Sequence, residues 1–201
     1  MLASGVERGL TLVELLIGMA IVSAVLALGV PSFSRMIQNA QVRSAGESIV
    51  NGLHTARNEA LRRNASIRFN LTDTTGRVAW TVTCVVTTTD CPATAIQSYS
   101  SNEGGSNARI GISKATTIPS SAYATAIASG TGLSSGAGVT FNNLGSVPPA
   151  NAGSDITRID ITNAADADAR RLVIVLGTGG SVRMCDPLHD LSTNPQGCTS
   201  P

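Results

Sequence analysis

The chain has 201 residues, with 14 Lys+Arg against 13 Asp+Glu and a formal net charge of +1, which fits one domain with an appendage at most. Charged residues make up 13% and apolar residues 42%, a balance that excludes a charge-rich disordered segment and a broadly basic nucleic-acid module. Aromatics are only 3%, which leaves the core to Ile, Val, Leu and Ala and argues against stacking platforms for single-stranded nucleic acid.

Residues 1–9, MLASGVERG, precede an apolar run at 10–30 interrupted by one charge, Glu14. As a helix this run is roughly 31 Å long, about one bilayer core. A secretory signal calls for a basic start and an uncharged apolar core of about 7–15 residues, and this run is longer and carries Glu14. A plain membrane anchor explains the length but gives Glu14 no role. A carboxylate at membrane depth costs several kcal/mol unless paired, so Glu14 marks a candidate functional site.

After Pro31, apolar residues recur at steps of three and four: Phe33, Met36, Ile37, Ala40, then Val42, Ala45, Ile49, Leu53, Ala56 and Ala60. Polar residues such as Arg43, Glu47, Asn51, Arg57 and Arg62 stand between them, so an amphipathic helix is expected over 31–64, continuous with the apolar run and packed on a sheet.

Strand signals follow at 66–71, 77–86, 139–141, 156–162, 171–176 and 181–185, each β-branched or alternating and bounded by turn residues. Asp73-Thr74-Thr75-Gly76 and Gly177-Thr178-Gly179-Gly180 are expected hairpin turns, which implies antiparallel pairing. Residues 98–138, dense in Ser, Thr, Ala and Gly, read as a long flexible loop. The fold class is therefore α+β: a long, kinked N-terminal helix on an antiparallel sheet domain over 65–201.

Cys84, Cys91, Cys185 and Cys198 form two sequence-local pairs. Two local disulfides suit an oxidising compartment; four free thiols or a zinc site compete with them, although neither spacing matches a structural zinc site. A Cys185–Cys198 bridge would hold a tail, 186–201, that is otherwise loose, and closing such a loop is worth roughly 2–3 kcal/mol in the chain-entropy model.

No catalytic constellation emerges, and neither a metal nor a cofactor is expected. His54 and His189 lack ligand partners at helical or loop spacing. The glycine-rich turn at 177–180 lacks the Lys and Ser/Thr of a phosphate loop. Asp166 and Asp168 read as a solvated pair, with calcium the alternative, and no nucleophile has an identifiable base. Of the basic residues only Lys114 is not Arg. Arg57, Arg62, Arg63 and Arg68 cluster at the helix end and Arg170, Arg171 and Arg183 near the last hairpin, either as solvated helix ends and strand edges or as a phosphate-binding site.

The string Gly9-Leu10-Thr11-Leu12-Val13-Glu14-Leu15-Leu16 resembles the leader junction of type IV pilins and type II secretion pseudopilins. The resemblance implies cleavage between Gly9 and Leu10 by a prepilin peptidase, N-methylation of Leu10, and pairing of Glu14 with the N-terminal amine of a neighbouring subunit. It also implies a kink at Pro31, where proline removes a helical hydrogen bond. Leu53-His54-Thr55-Ala56-Arg57-Asn58-Glu59-Ala60-Leu61-Arg62-Arg63-Asn64, Phe141-Asn142-Asn143-Leu144-Gly145 and Gly179-Gly180-Ser181-Val182-Arg183-Met184-Cys185-Asp186 are similar to the minor pilins and pseudopilins of the GspH/FimT/FimU family. Membership there implies a non-enzymatic minor pilin, initiating or near the tip of a type IV pilus, that primes filament assembly. The alternative is a minor pseudopilin of type II secretion. Implied partners are the prepilin peptidase, other minor and major pilins or pseudopilins, an inner-membrane assembly platform and the lipid bilayer. The implied location is the inner membrane, single-pass with a periplasmic C-terminal domain, and then the filament. Some competence-associated members bind DNA through Gly-Arg-x-Arg; here Gly180-Ser181-Val182-Arg183 lacks the first arginine, leaving Arg183, with Arg170 and Arg171, as candidate DNA contacts.

Overall fold

The computed structural model describes residues 11–103 and 105–199, with the side chains of 27–32 and 199 left aside. The chain divides after Ile37 into two compact units, and helix α1 (Leu12–Arg63) supplies residues to both. Its end is set by Asn64, which takes the left-handed conformation at φ 50°. That turn lets the Ala65 N–H donate to Ala60 O at 3.2 Å, the bond that closes a Schellman-type helix end. Asparagine serves there because its short polar side chain tolerates positive φ.

In the 38–201 unit the helical stripe behaves as its periodicity predicts. Val42, Ala45, Ile49, Leu53, Ala56 and Ala60 are all buried, and they join one core with both sheets. The first sheet contains β1 (Ile67–Leu71), β2 (Trp80–Cys84), β3 (Gln97–Tyr99) and β5 (Gly138–Phe141), in the order β3-β2-β1-β5. The second contains β4 (Ala108–Ser113), β6 (Arg158–Asn163), β7 (Leu172–Leu176), β8 (Val182–Asp190) and β9 (Gly197–Thr199), in the order β4-β6-β7-β8-β9. Every strand pair is antiparallel except β8–β9. Two helix glycines let α1 approach both sheets: Gly46 abuts Ile161 and Met184, and Gly52 abuts Phe69 and Trp80. This is the α+β class expected.

Both expected hairpin turns join antiparallel neighbours, β1 to β2 and β7 to β8. Gly76, at φ 96°, and Gly180, at φ 76°, supply the positive φ these turns need. The loop expected over 98–138 is a correction. Within it β4 pairs along its whole length with β6, and Ala108, Ile110 and Ile112 enter the core. Their alternation is a strand pattern, hidden in a Ser- and Gly-rich setting. The tail is also more ordered than expected, because β8 runs on to Asp190 and β9 pairs beside it. Both local disulfides are present, Cys84–Cys91 and Cys185–Cys198, so the free-thiol and zinc alternatives fall.

Candidate assembly site

The most unusual surface lies on the first part of α1. Leu12, Val13, Leu15, Leu16, Ile17, Met19, Ile21, Val22, Val25 and Leu26 are each more than half exposed, and they point in all directions round the helix. A helix that is apolar on every side is stable only when something else covers it. Among the described residues no helix is long and apolar enough to cross a membrane. The expected span at 10–30 reaches beyond the described residues at Leu10 and at the side chains of 27–30, and Pro31 shares that position. The leader and the junction Gly9–Leu10 lie outside the described residues altogether.

Glu14 is the charge on this surface, and the structure gives it a local partner. The Thr11 hydroxyl accepts the Glu14 N–H at 3.2 Å, while the Glu14 carboxylate accepts the Thr11 N–H at 3.4 Å and the Thr11 hydroxyl at 3.3 Å. That reciprocal arrangement is a capping box, with Thr11 as the N-cap and Glu14 three residues on. The carboxylate also faces the positive end of the helix dipole. The T-x-x-E spacing carries this signal in the sequence, and the cap adds a partner within the chain to the neighbouring amine that the resemblance implies for Glu14.

The arginines proposed for phosphate are engaged inside the fold. Arg57 donates to Gly145 O at 3.0 Å. Arg62 and Arg63 share the carboxylate of Glu59, at 2.6 and 2.5 Å, and Arg63 also donates to Asp90 O. The hydrogen bond from Arg62 foremost holds the Glu59 carboxyl below its ordinary pKa. Arg68 donates to Asn70, Thr140, Asp155 and Gly136 O, all within 2.9 Å. Arg170 pairs with buried Asp186 at 2.5 Å, Arg171 pairs with buried Asp160 at 2.9 Å, and Arg183 donates to Gly197 O at 2.9 Å. Arg62 and Arg170 remain largely open to solvent, as expected of helix ends and strand edges, while Arg57, Arg63, Arg68, Arg171 and Arg183 tie helix, strand edges and tail together. Arg158, which the sequence reading passed over, joins Arg171 on Asp160.

His54 is exposed on α1, and His189 lies 3.9 Å from the Asp186 carboxylate. No group of three or more metal-ligating side chains occurs among the described residues.

A family model described as "Type II transport protein GspH" matches residues 45–180. The chain belongs to the GspH family. The match takes in α1 from residue 45 onward, the first sheet, and β4, β6 and β7 of the second, and it gives GspH-type membership to a chain whose exposed helix and capped glutamate lie outside the matched span. Two solved structures are similar, both of the type IV minor pilin FimU of Pseudomonas aeruginosa strain PAO1. One shows 17% identity over 74% of this chain and 90% of that one, at a TM-score of 0.45; the other shows 18% identity over 73% and 94%, at 0.43. No curated protein matches the chain.

Proposed function

We propose that this GspH-family chain is a minor pilin of a type IV pilus, a structural subunit at or near the filament tip that primes assembly and catalyses no reaction. The observation that carries this reading is the helix surface over 12–26, apolar on all sides and uncovered apart from one capped carboxylate. A surface of that kind calls for a cover of other apolar helices. In this reading the prepilin peptidase cleaves after Gly9 and Leu10 is N-methylated. The run at 10–30 rests in the lipid bilayer of the inner membrane until the assembly platform transfers it to a bundle of pilin helices. Glu14 then meets the neighbour's N-terminal amine, which offsets the cost of carrying a carboxylate into an apolar bundle, and Pro31 allows the helix to bend.

A second reading, a minor pseudopilin of type II secretion, is favoured by the description of the matching family. Deleting the gene separates the two. The pilus reading predicts loss of surface filaments and of surface motility with secretion of exoproteins intact. Normal filaments with blocked secretion would establish the pseudopilin instead.

A further inference from the structure

The outward face of the second sheet carries one cross-strand row, Gly111, Asp160, Val173 and Cys185, set by the register of β4, β6, β7 and β8. Residues 114–131 run along this row. At Gly111 the chain lies so close that a Cβ would meet Ala128 O at 2.3 Å and Ile127 Cγ2 at 2.8 Å, so only glycine leaves room for it. At Asp160 the fastening is ionic. Its carboxylate, fully buried, accepts Arg158 Nε and Nη2, Arg171 Nη1 and the backbone N–H of Ile127, all within 3.0 Å. The same two guanidiniums donate to the carbonyls of Ala122, Tyr123 and Thr125.

At the far end Tyr123 packs with Val173 and the Cys185–Cys198 bridge in a small apolar cluster of its own, separate from the main core. Arg158 sits 5.0 Å from the centre of the Tyr123 ring. Cys185 is 1% and Cys198 4% exposed.

We propose that residues 114–131 are a strap locked by the Arg158–Asp160–Arg171 clamp, and that this strap gates reduction of the Cys185–Cys198 disulfide. The clamp is the principal fastening between the sheet and the strap's middle, and Tyr123 is the cover over the sulfurs. Reduction by a dithiol needs a thiolate to attack one protein sulfur, forming a mixed disulfide and releasing the other as a thiolate. The reagent's second thiolate then attacks the reagent sulfur of that mixed disulfide and displaces the remaining protein sulfur, leaving two cysteine thiols and a cyclic disulfide. In-line attack on sulfurs this deeply covered requires the strap to lift. A local opening of that kind is independent of unfolding of the main core.

The test is the rate at which dithiothreitol reduces each bridge in the full chain, held in detergent and read by alkylation and peptide mass mapping. Tyr123→Ala is expected to speed reduction of Cys185–Cys198 by about tenfold while leaving Cys84–Cys91 unchanged, as local opening demands. Asp160→Asn is expected to act in the same direction. Should Asp160→Asn fail to fold, Tyr123→Ala decides alone. An unchanged rate for Cys185–Cys198 in Tyr123→Ala, or an equal acceleration of both bridges, would overturn the proposal.

Discussion

Gly52 faces Trp80 with no space between them: a Cβ on Gly52 would meet the indole at 3.0 Å and Phe69 at 2.8 Å. The indole cannot step aside. Its Nε1 donates to Ser48 Oγ at 2.9 Å, and Tyr99 stacks on it with ring centres 5.9 Å apart. Glycine within a helix costs about 1 kcal/mol relative to alanine, so this position trades helix propensity for closeness of helix and sheet.

Gly52→Ala is accordingly expected to destabilise the 38–201 unit, because overpacking of about 1–3 kcal/mol exceeds the propensity gain. Gly46→Ala is expected to be near neutral. There the nearest atom, 2.8 Å from the added Cβ, is the Met184 sulfur, which a flexible thioether chain can move. Urea unfolding followed by fluorescence of Trp80 measures both; equal effects would refute the distinction.

Arg68 and Asp155 make a second constraint, at the edge of the first sheet. Asp155 is buried, pairs with Arg68 at 2.9 Å and accepts the Thr140 N–H of β5 at 2.9 Å. Arg68→Ala would leave this carboxylate without its cation, held by the Thr140 N–H and the Asn151 amide alone, and the expected loss is about 1–3 kcal/mol in denaturant unfolding. Arg68→Lys is expected to recover only part of it, because one ammonium cannot reproduce the fork that reaches four partners. Full rescue by lysine would show that charge alone suffices.

The first hairpin turn is expected to be acid-sensitive. Burial works against ionisation of Asp73, but hydrogen bonds from the Thr75 hydroxyl and from the N–H groups of Arg77, Thr75 and Gly76 outweigh it and lower the pKa. A carboxyl depressed in the folded state adds stability that is present above the unfolded value of about 3.9 and is lost as pH falls through the lower folded value. As pH falls below the unfolded value of about 3.9, the wild type should therefore lose more stability than Asp73→Asn. Parallel stability curves for the two proteins would contradict the assignment.

Glu14 has two separable duties, capping its own helix and carrying a charge. Glu14→Ala removes both, and Glu14→Gln keeps a side chain that can close the capping box but not the charge. If the charge serves assembly, both variants are processed at the leader junction yet enter filaments poorly. Quantitative immunoblots of sheared filaments in which Glu14→Gln enters normally would assign the residue to capping alone.

Much of the architecture is legible in local patterns, and the exceptions have physical reasons. The stripe from Val42 to Ala60 reads directly because burial on one helix face imposes its period on the sequence. Five of the six expected strands overlap β1, β2, β5, β6 and β7, and the sixth opens β8. Strand β4 escapes because its two isoleucines flank a glycine required by the chain crossing outside it, and that crossing is set by tertiary structure. The buried pairings of Arg68 and Arg171 are illegible for a related reason. The partner of Arg68 lies 87 residues away, and that of Arg171 lies 11 away on a neighbouring strand, separations at which charge patterning carries no information. The capping box at Thr11 and Glu14 was within reach, since both residues stand within one turn.

The most direct measurement is mass spectrometry of sheared surface filaments, searched for the peptide from Leu10 to Arg35. A minor pilin predicts that peptide with N-methyl-Leu10 at its start, present in low proportion to the major subunit. Filaments that contain the chain with residues 1–9 still attached, or the processed peptide found in the membrane fraction alone, would contradict the account.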